Sequence, residues 1–405
     1  MRDASLASVT STAGRWSVIA LGLSIPISVA LDNILMGLIA IFWLLSGDWK
    51  GKARMIRDYP VVLAALLLFG LLCIGTMYEN SAPGTLVKYI DLLLIPAYVT
   101  FFRDDSTRLW GLRAFSVAAI ASIVVSYLAY FGLLADVSWL ARDSIIPTGF
   151  KYTITHSIIV AYAAYLFALL ALREKVRSRR IAYAMLALAA IHNVVFLVYS
   201  RTGYCVIAAL FVYFFVVNYG RRGFMLVMAA IAMTFATAYV TSDIFHKRID
   251  AAVGESVAWR PGKPSETSVG LRLDWYATTL KIISERPLLG YGTGSFPGQY
   301  ARAVADSKQT ATTNPHNEYL LITAQIGILG LLCLLYLFWQ QWRFAAQIPE
   351  PFYRHLARGL VLTFALGCLF NSLLIDHTEG LLFAWLTGLV FAAAVPATAT
   401  AEPSS

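Results

Sequence analysis

The sequence predicts an all-α polytopic membrane protein of about twelve transmembrane helices, on three observations. The first is composition. Of the 405 residues, 59% are hydrophobic and 14% charged, against about 45–50% apolar and about 25% charged in soluble domains. The second is the recurrence of apolar runs near the roughly 20 residues that a helix needs to cross a bilayer. The third is charge asymmetry: the connecting loops alternate between rich in Lys and Arg and nearly free of them. A span in lipid must satisfy its own backbone, and for runs of this length that means a helix.

The runs fall at 16–31, 33–46, 60–78, 85–102, 110–134, 153–172, 181–199, 203–218, 223–241, 315–339, 356–374 and 379–396. The first two are short and read as a tight hairpin around Asp32. A small-residue "SVA" before Leu31 imitates a cleavage site, but the second run follows at once, so the pair reads as an anchor. The loops "GDWKGKARMIR", "RDDSTRLWGLR", "REKVRSRR", "YGRRG" and "QQWRFAAQIPEPFYRHLAR" carry the basic residues. The alternate short loops, such as "YENSAPG", "SRTG" and "DHTEG", are nearly free of them. The positive-inside rule puts the basic set and both termini in the cytoplasm. Residues 242–314 then form a large outer loop, periplasmic in a diderm bacterium. The chain reads as one integral membrane domain, 1–405, with a polar tail at 397–405 expected to be disordered.

The net charge of +9 belongs to topology and anionic lipid, since no long basic face or nucleic-acid motif is present. Cys73, Cys205, Cys333 and Cys368 sit singly in apolar runs, with no disulfide or zinc spacing. In the outer loop, Leu273, Tyr276, Leu280 and Ile283 recur at helical spacing, which predicts a helix from about Gly270 to Arg286, stopped by Pro287. Gly290, Gly292 and Gly294 follow. No strand precedes them and no clear helix follows, so a flexible turn back to the membrane is preferred over a nucleotide loop.

Three outer residues stand out. Arg201 lies in "VYSRTGY", Arg272 at the start of the loop helix, and His316 in "TTNPHNEYLL". An ionisable residue at a membrane segment is a functional candidate by default. The plain alternatives are a snorkelling anchor for Arg201, an ion pair with Asp274 or Glu285 for Arg272, and a capping role for His316. A short outer loop should avoid Arg, which weighs against the anchor. Asn314 is a good N-cap and Pro315 fits the first helical position. His316 would then sit in the first turn, where the helix dipole disfavours imidazolium and leaves a neutral base. Asn317 and Glu318 would orient it. A His-x-Glu metal pair is disfavoured because residues two apart on a helix do not face each other. Lys88 and Asp91 read as an ion pair within the bundle, with a phosphate contact by Lys88 as the alternative. Asp376 and Glu379 face outward in "DHTEG".

Three blocks together resemble the O-antigen ligase and polymerase superfamily: "SRTG" after an apolar span, "RLDWYATTLKIISERPLLGYGTGSF", and "PHNEYLLITAQIGILGLL", which includes Tyr319. The resemblance implies a GT-C-like glycosyltransferase whose donor is a glycan on undecaprenyl diphosphate. A ligase moves the glycan to a sugar hydroxyl of lipid A–core, completing lipopolysaccharide; a polymerase adds it to another undecaprenyl-linked glycan. Compact length and one large outer loop just before the His span favour the ligase. A lipid-linked glycan transporter is the reading from another class, but no motif repeats between the halves as inverted repeats would require.

The expected chemistry follows. His316 takes the proton of the acceptor hydroxyl, and a single displacement inverts the anomeric carbon. Arg201 and Arg272 hold the departing diphosphate, because guanidinium donates paired hydrogen bonds to phosphate. The tight acidic pair Asp104–Asp105 falls on the cytoplasmic side, so no metal and no cofactor are expected. Asn317, Glu318, Tyr319, Lys88, Arg142, Asp376 and Glu379 are the supporting candidates, with Lys151 beside Arg142 steering phosphate-rich core sugar. The expected partners are the lipid-linked donor, lipid A–core and membrane lipids, without nucleic acid, for a monomeric protein.

Overall fold

The computed structural model describes residues 2–134, 146–260 and 263–395. Arg142 and the tail at 397–405 lie outside the described residues. In chain order the helices are α1 Arg2–Ser24, α2 Val29–Leu45, α3 Trp49–Asp58, α4 Pro60–Gly75, α5 Asp91–Phe102, α6 Asp105–Tyr130, α7 Thr153–Arg173, α8 Arg177–His192, α9 Arg201–Thr241, α10 Asp243–Ala258, α11 Ser268–Glu285, α12 Phe296–Ala303, α13 Glu318–Phe344, α14 Pro351–Phe370 and α15 His377–Phe391. No strand occurs among the described residues. The protein is a polytopic α-helical membrane protein.

Six described helical runs are long and apolar enough to cross a membrane, or seven if the bent pair α2–α3 counts as one span. Others are short: α4 has 16 residues and α15 has 15. The 85–102 run is a 3₁₀ turn, Pro83–Tyr89, leading into α5. The 203–218 and 223–241 runs form one 41-residue run whose helical geometry breaks at Gly220, φ 58°. The first hairpin is placed differently from the sequence expectation. The chain turns at residues 25–28, and Ser28 caps α2 through Leu31 N–H. Asp32 is therefore fully buried inside α2 and accepts a hydrogen bond from Ser24 Oγ at 2.6 Å. A serine cap four residues earlier outcompetes a turn centred on an apolar flank.

The bundle closes on buried aromatics and close helix approach. Trp385 of α15 donates its indole N–H to Val18 O of α1 at 2.8 Å. It packs against Phe102 and Phe115 with ring centroids 5.5 and 6.1 Å apart. Lipid gives no hydrophobic drive between helices, so small residues that admit close packing matter; a Cβ on Gly388 would lie 2.2 Å from Tyr98 Cβ.

The first turns of α5, α7, α9, α13 and α15 gather at one end of the bundle. Ser157 of α7 donates to Ser200, the cap of α9, at 2.8 Å. Thr155 of α7 donates to Glu379 of α15 at 2.6 Å. Glu318 of α13 accepts from Leu374 N–H, just before α15, at 2.8 Å.

The glycine-rich turn is a buried strap rather than a flexible return, and a helix, α12, does open after it. Tyr291 and Gly292 N–H donate to Ala324 O and Gln325 O of α13 at 3.1 and 2.7 Å. Thr293 N–H donates to Gly75 O at 3.0 Å, and its hydroxyl to Leu72 O at 2.7 Å. The strap fills a break in α13, where Ile326 and Gly327 leave helical geometry and Ile328 N–H turns to Pro287 O at 2.8 Å. Gly290, Gly292, Gly294 and Gly327 all have positive φ. A Cβ on Gly327 would lie 2.1 Å from Leu288 O, whereas one on Gly298 in α12 meets nothing. Gly327→Ala is therefore expected to destabilise by at least about 1–2 kcal/mol from the left-handed backbone alone. Gly298→Ala should be neutral or stabilise by about 0.5–1 kcal/mol. Thermal unfolding in detergent checks both; equal midpoints would contradict the strap.

Candidate anion-binding and base site

Arg201 is not in a bare turn but opens α9. Asn193–Leu197 form a π-helical turn, Tyr199 takes φ 52°, and Ser200 caps α9 by accepting Gly203 N–H at 3.2 Å. Gly203 admits close contact here, since a Cβ on it would lie 2.7 Å from Ser157 Cβ. Arg272 sits one turn into α11, whose cap Thr267 accepts Gly270 N–H at 3.2 Å. Both acids weighed as its partner are engaged elsewhere. Asp274 accepts from Trp259 Nε1 and Ser265 N–H at 2.8 and 2.9 Å, joining α10 to α11. Glu285 accepts from Tyr291 at 2.7 Å.

Arg201 and Arg272 line one cleft of about 500 Å³, with Thr153, Lys247 and Ser268 among the other lining residues. Thr153, Arg201 and Ser268 are the first residues of α7, α9 and α11. Three helix N-termini thus border a cleft that also carries two guanidiniums and one ammonium. Unsatisfied N–H groups and the helix dipoles give each N-terminus a partial positive charge, so the cleft suits an anion. Glu255 is the acid among the lining residues, and it accepts Val269 N–H at 2.9 Å.

His316 precedes α13 instead of lying in its first turn. Asn317, not Asn314, is the cap and accepts Leu320 N–H at 3.0 Å. Asn314 is committed to His316 N–H and Ser372 Oγ, each at 2.8 Å. The turn holds His316 at φ 54°, a left-handed conformation. Such strain in a non-glycine residue costs about 1–3 kcal/mol and persists where surroundings over-determine it. Here they do: Trp275 packs against the imidazole with centroids 5.0 Å apart and ring planes tilted by 31°, and the Tyr276 hydroxyl lies 3.2 Å from both His316 O and Leu369 O, sharing its one proton between them.

Asn371, rather than Asn317 or Glu318, orients the ring. His316 Nδ1 is 2.8 Å from Asn371 Oδ1, while Asn371 Nδ2 donates to Asp376 Oδ2 at 3.0 Å. With its amide direction set by the carboxylate, Asn371 presents an acceptor to Nδ1. Nδ1 must therefore carry the proton, leaving Nε2 as the basic nitrogen. Burial pushes the Asp376 carboxyl up from its ordinary value, while the Asn371 hydrogen bond, His316 and Lys88 pull it back. Arg272, Trp275 and Tyr276 lie at i, i+3 and i+4, on one face of α11. That face connects the anion cleft to the histidine. Burial raises the Tyr276 phenol, and Arg272 is the cation that lowers it.

The remaining candidates separate. Asn317 Nδ2 donates to Leu369 O at 3.0 Å. Glu318 is fully buried and anchors the 371–376 loop through Leu374 N–H. Tyr319 donates to Ala365 O of α14 at 2.7 Å, a helix-packing bond. Glu379 accepts from Thr155 beneath the site. Lys88 and Asp91 do not pair: Lys88 is exposed on the 3₁₀ turn and Asp91 is buried at the start of α5. The turn ends before α5 begins, so the two residues share no common face. Lys151 lies 3.8 Å from Asp32 and donates to Thr378 at 3.1 Å. Among the described residues, no group of three or more His, Cys, Asp or Glu side chains is placed to hold a metal ion.

Lys247, Trp275, Tyr276 and Asn371 escaped the sequence reading. A basic residue in "FHKRID" on an amphipathic stretch was the available signal for Lys247; Asn371 had none, being 55 positions from His316.

Residues 184–335 match the family model described as O-antigen ligase. An uncharacterized protein of Haemophilus influenzae is 29% identical over 122 residues, which is 28% of this chain. The chain spans 30% of the length of that relative.

Proposed function

The chain belongs, through residues 184–335, to the O-antigen ligase superfamily, and from that premise we propose that it is the ligase itself. It transfers a glycan from undecaprenyl diphosphate to a sugar hydroxyl of lipid A–core, with inversion and without a metal. The polymerase is the alternative within the family. The protein acts as a monomer in the inner membrane, with twelve spans in a GT-C-like arrangement. The α7–α9–α11 end and residues 242–314 face the periplasm, and both termini face the cytoplasm.

One observation carries the reading: a single face of α11 joins a cationic cleft to a histidine whose tautomer is set. The diphosphate of the donor lies in the cleft, against Arg201, Arg272 and the helix N-termini. Charge that develops on its bridging oxygen as the anomeric bond breaks is stabilised by donors already in place. His316 Nε2 takes the proton from the acceptor hydroxyl. The new C–O bond forms on the face opposite the departing diphosphate, which is why the anomeric carbon inverts. Asp376, through Asn371, holds the imidazole and favours its protonated form as the proton arrives.

Product analysis tests the acceptor. Purified protein in liposomes is given undecaprenyl diphosphate-linked glycan and lipid A–core together. Glycan attached to lipid A–core supports the ligase; a lengthened undecaprenyl-linked glycan shows a polymerase; unaltered glycan that has crossed the bilayer shows a transporter.

The Asp376 relay predicts a pH dependence. A raised carboxyl protonates at higher pH than a surface aspartate, and once neutral it no longer favours the imidazolium. Protonation of Asp376 should therefore steepen the acid limb of the rate profile. Asp376→Asn should leave a shallower acid limb, with a lower plateau. Limbs of equal slope in wild type and variant would remove Asp376 from the mechanism.

A further inference from the structure

The end of the bundle opposite the Arg201–Arg272 cleft holds a second cavity. α5 starts beside α15, since a Cβ on Gly380 would lie 3.0 Å from Asp91 Oδ2. Its 12 residues carry the chain about 18 Å at 1.5 Å per residue. The cavity, of about 270 Å³, lies where α5 ends, between α1, the end of α2, and α3. Its lining includes Arg15, Asp48, Lys52, Thr100 and Arg103. Three cations face one carboxylate.

Local chemistry explains how the cavity forms. After α2, Gly47 and Asp48 both take positive φ, 68° and 48°, and the chain bends by 114° into α3. Asp48 caps α3 by accepting Gly51 N–H at 3.1 Å. The helix therefore lies across the bundle. It buries Met55 inward and exposes Lys50, Arg54 and Arg57, with Trp49 56% exposed beside them. A short helix of this pattern lies in the plane of a membrane interface. Lys52 folds back under it, 4.9 and 4.5 Å from the Trp43 and Trp49 rings, and donates to Trp43 O. Arg15 is 3.8 Å from Asp104, and Arg103 stands 5.6 Å over the Tyr59 ring. The adjoining face of α2 is apolar and open: Ile41, Leu44 and Leu45 are each about half exposed.

We propose that this cavity binds the phosphodiester headgroup of an anionic phospholipid, whose acyl chains run along the exposed face of α2. Charge complementarity selects the headgroup, since basic pockets between spans attract anionic lipid. The contiguous apolar face selects a lipid over a soluble phosphate. Such a lipid would fix α3 against α1 and α5. The proposal stands apart from the glycan-transfer reading, which concerns the other end of the molecule.

The test is native mass spectrometry of the purified full chain from micelles containing equal phosphatidylglycerol and phosphatidylcholine. Retention of phosphatidylglycerol over phosphatidylcholine is expected. Arg103→Gln should weaken it about fivefold, and Arg15→Gln with Arg103→Gln about 25-fold, at about one factor of five per cation. Asp48→Asn keeps an N-cap acceptor but removes the one carboxylate, and should tighten retention about fivefold; misfolding cannot produce a gain. Equal retention of both lipids, or retention unchanged in these variants, overturns the proposal. Displacement by 1 mM glycerol 3-phosphate overturns the choice of a lipid over a soluble phosphate. Loss of the lipid in Arg272→Gln overturns the location.

Discussion

His316→Ala is expected to lower glycan transfer by about 10²–10⁴-fold, the usual contribution of a positioned general base. Donor affinity should change little, because the diphosphate is held by the cleft and not by the imidazole. The loss should appear in kcat, with KM for the donor near wild type. Asn371→Leu supplies the companion result. It leaves His316 in place but removes the acceptor facing Nδ1, so the ring is free to choose the wrong tautomer and Nε2 ceases to be the base. A kcat loss without a matching change in unfolding temperature is the outcome that separates orientation from packing. Full activity in His316→Ala would mean that another group takes the acceptor proton.

Arg272→Ala is expected to cost about 10²–10³-fold, as removal of one donor from a preorganised anion site does. Arg272→Lys should recover only part of this, since an ammonium keeps the charge and loses the planar fork. Arg201→Ala should behave in the same way, because both guanidiniums line one cleft. Arg272 also stands one turn from Trp275 and Tyr276, which hold His316. Its loss should therefore interact with loss of His316. The rate of the double variant should exceed the product of the two single effects, as for groups that serve one step. Strictly multiplicative losses would place the two residues in independent roles.

Much of the architecture was legible in the sequence because membrane helices are written in long apolar runs. The outer helix read as 270–286 is α11, Ser268–Glu285, for the same reason: one apolar stripe and a proline stop. Shorter elements were not legible. α12, at eight residues, is too short to stand out from loop and hides behind the glycine strap, and the amphipathic pattern of α10 was passed over inside the long outer loop. Span number suffers similarly, since α4 and α15 are shorter than a bilayer crossing.

At the site, residue types were legible and geometry was not. Arg in a short outer loop and His before an apolar helix each break a local expectation, which marked Arg201 and His316. "TNPHNE" led the sequence reading to Asn314 as the cap, three residues too early. Asn317 caps α13 because Asn314 is held by His316 N–H and Ser372, a contact across 58 positions. The left-handed turn at His316 and its bond to Asn371 follow from that tertiary contact.

The most direct test of the account is transfer from undecaprenyl diphosphate-linked glycan by purified protein in EDTA, with wild type, His316→Ala, Arg272→Ala and the double variant compared as folded proteins. The account predicts full wild-type transfer with the chelator present, loss in each single variant, and a double variant little worse than the poorer single. Wild-type transfer abolished by EDTA and restored by a divalent cation would contradict it, because the leaving diphosphate would then depend on a metal and not on Arg201 and Arg272.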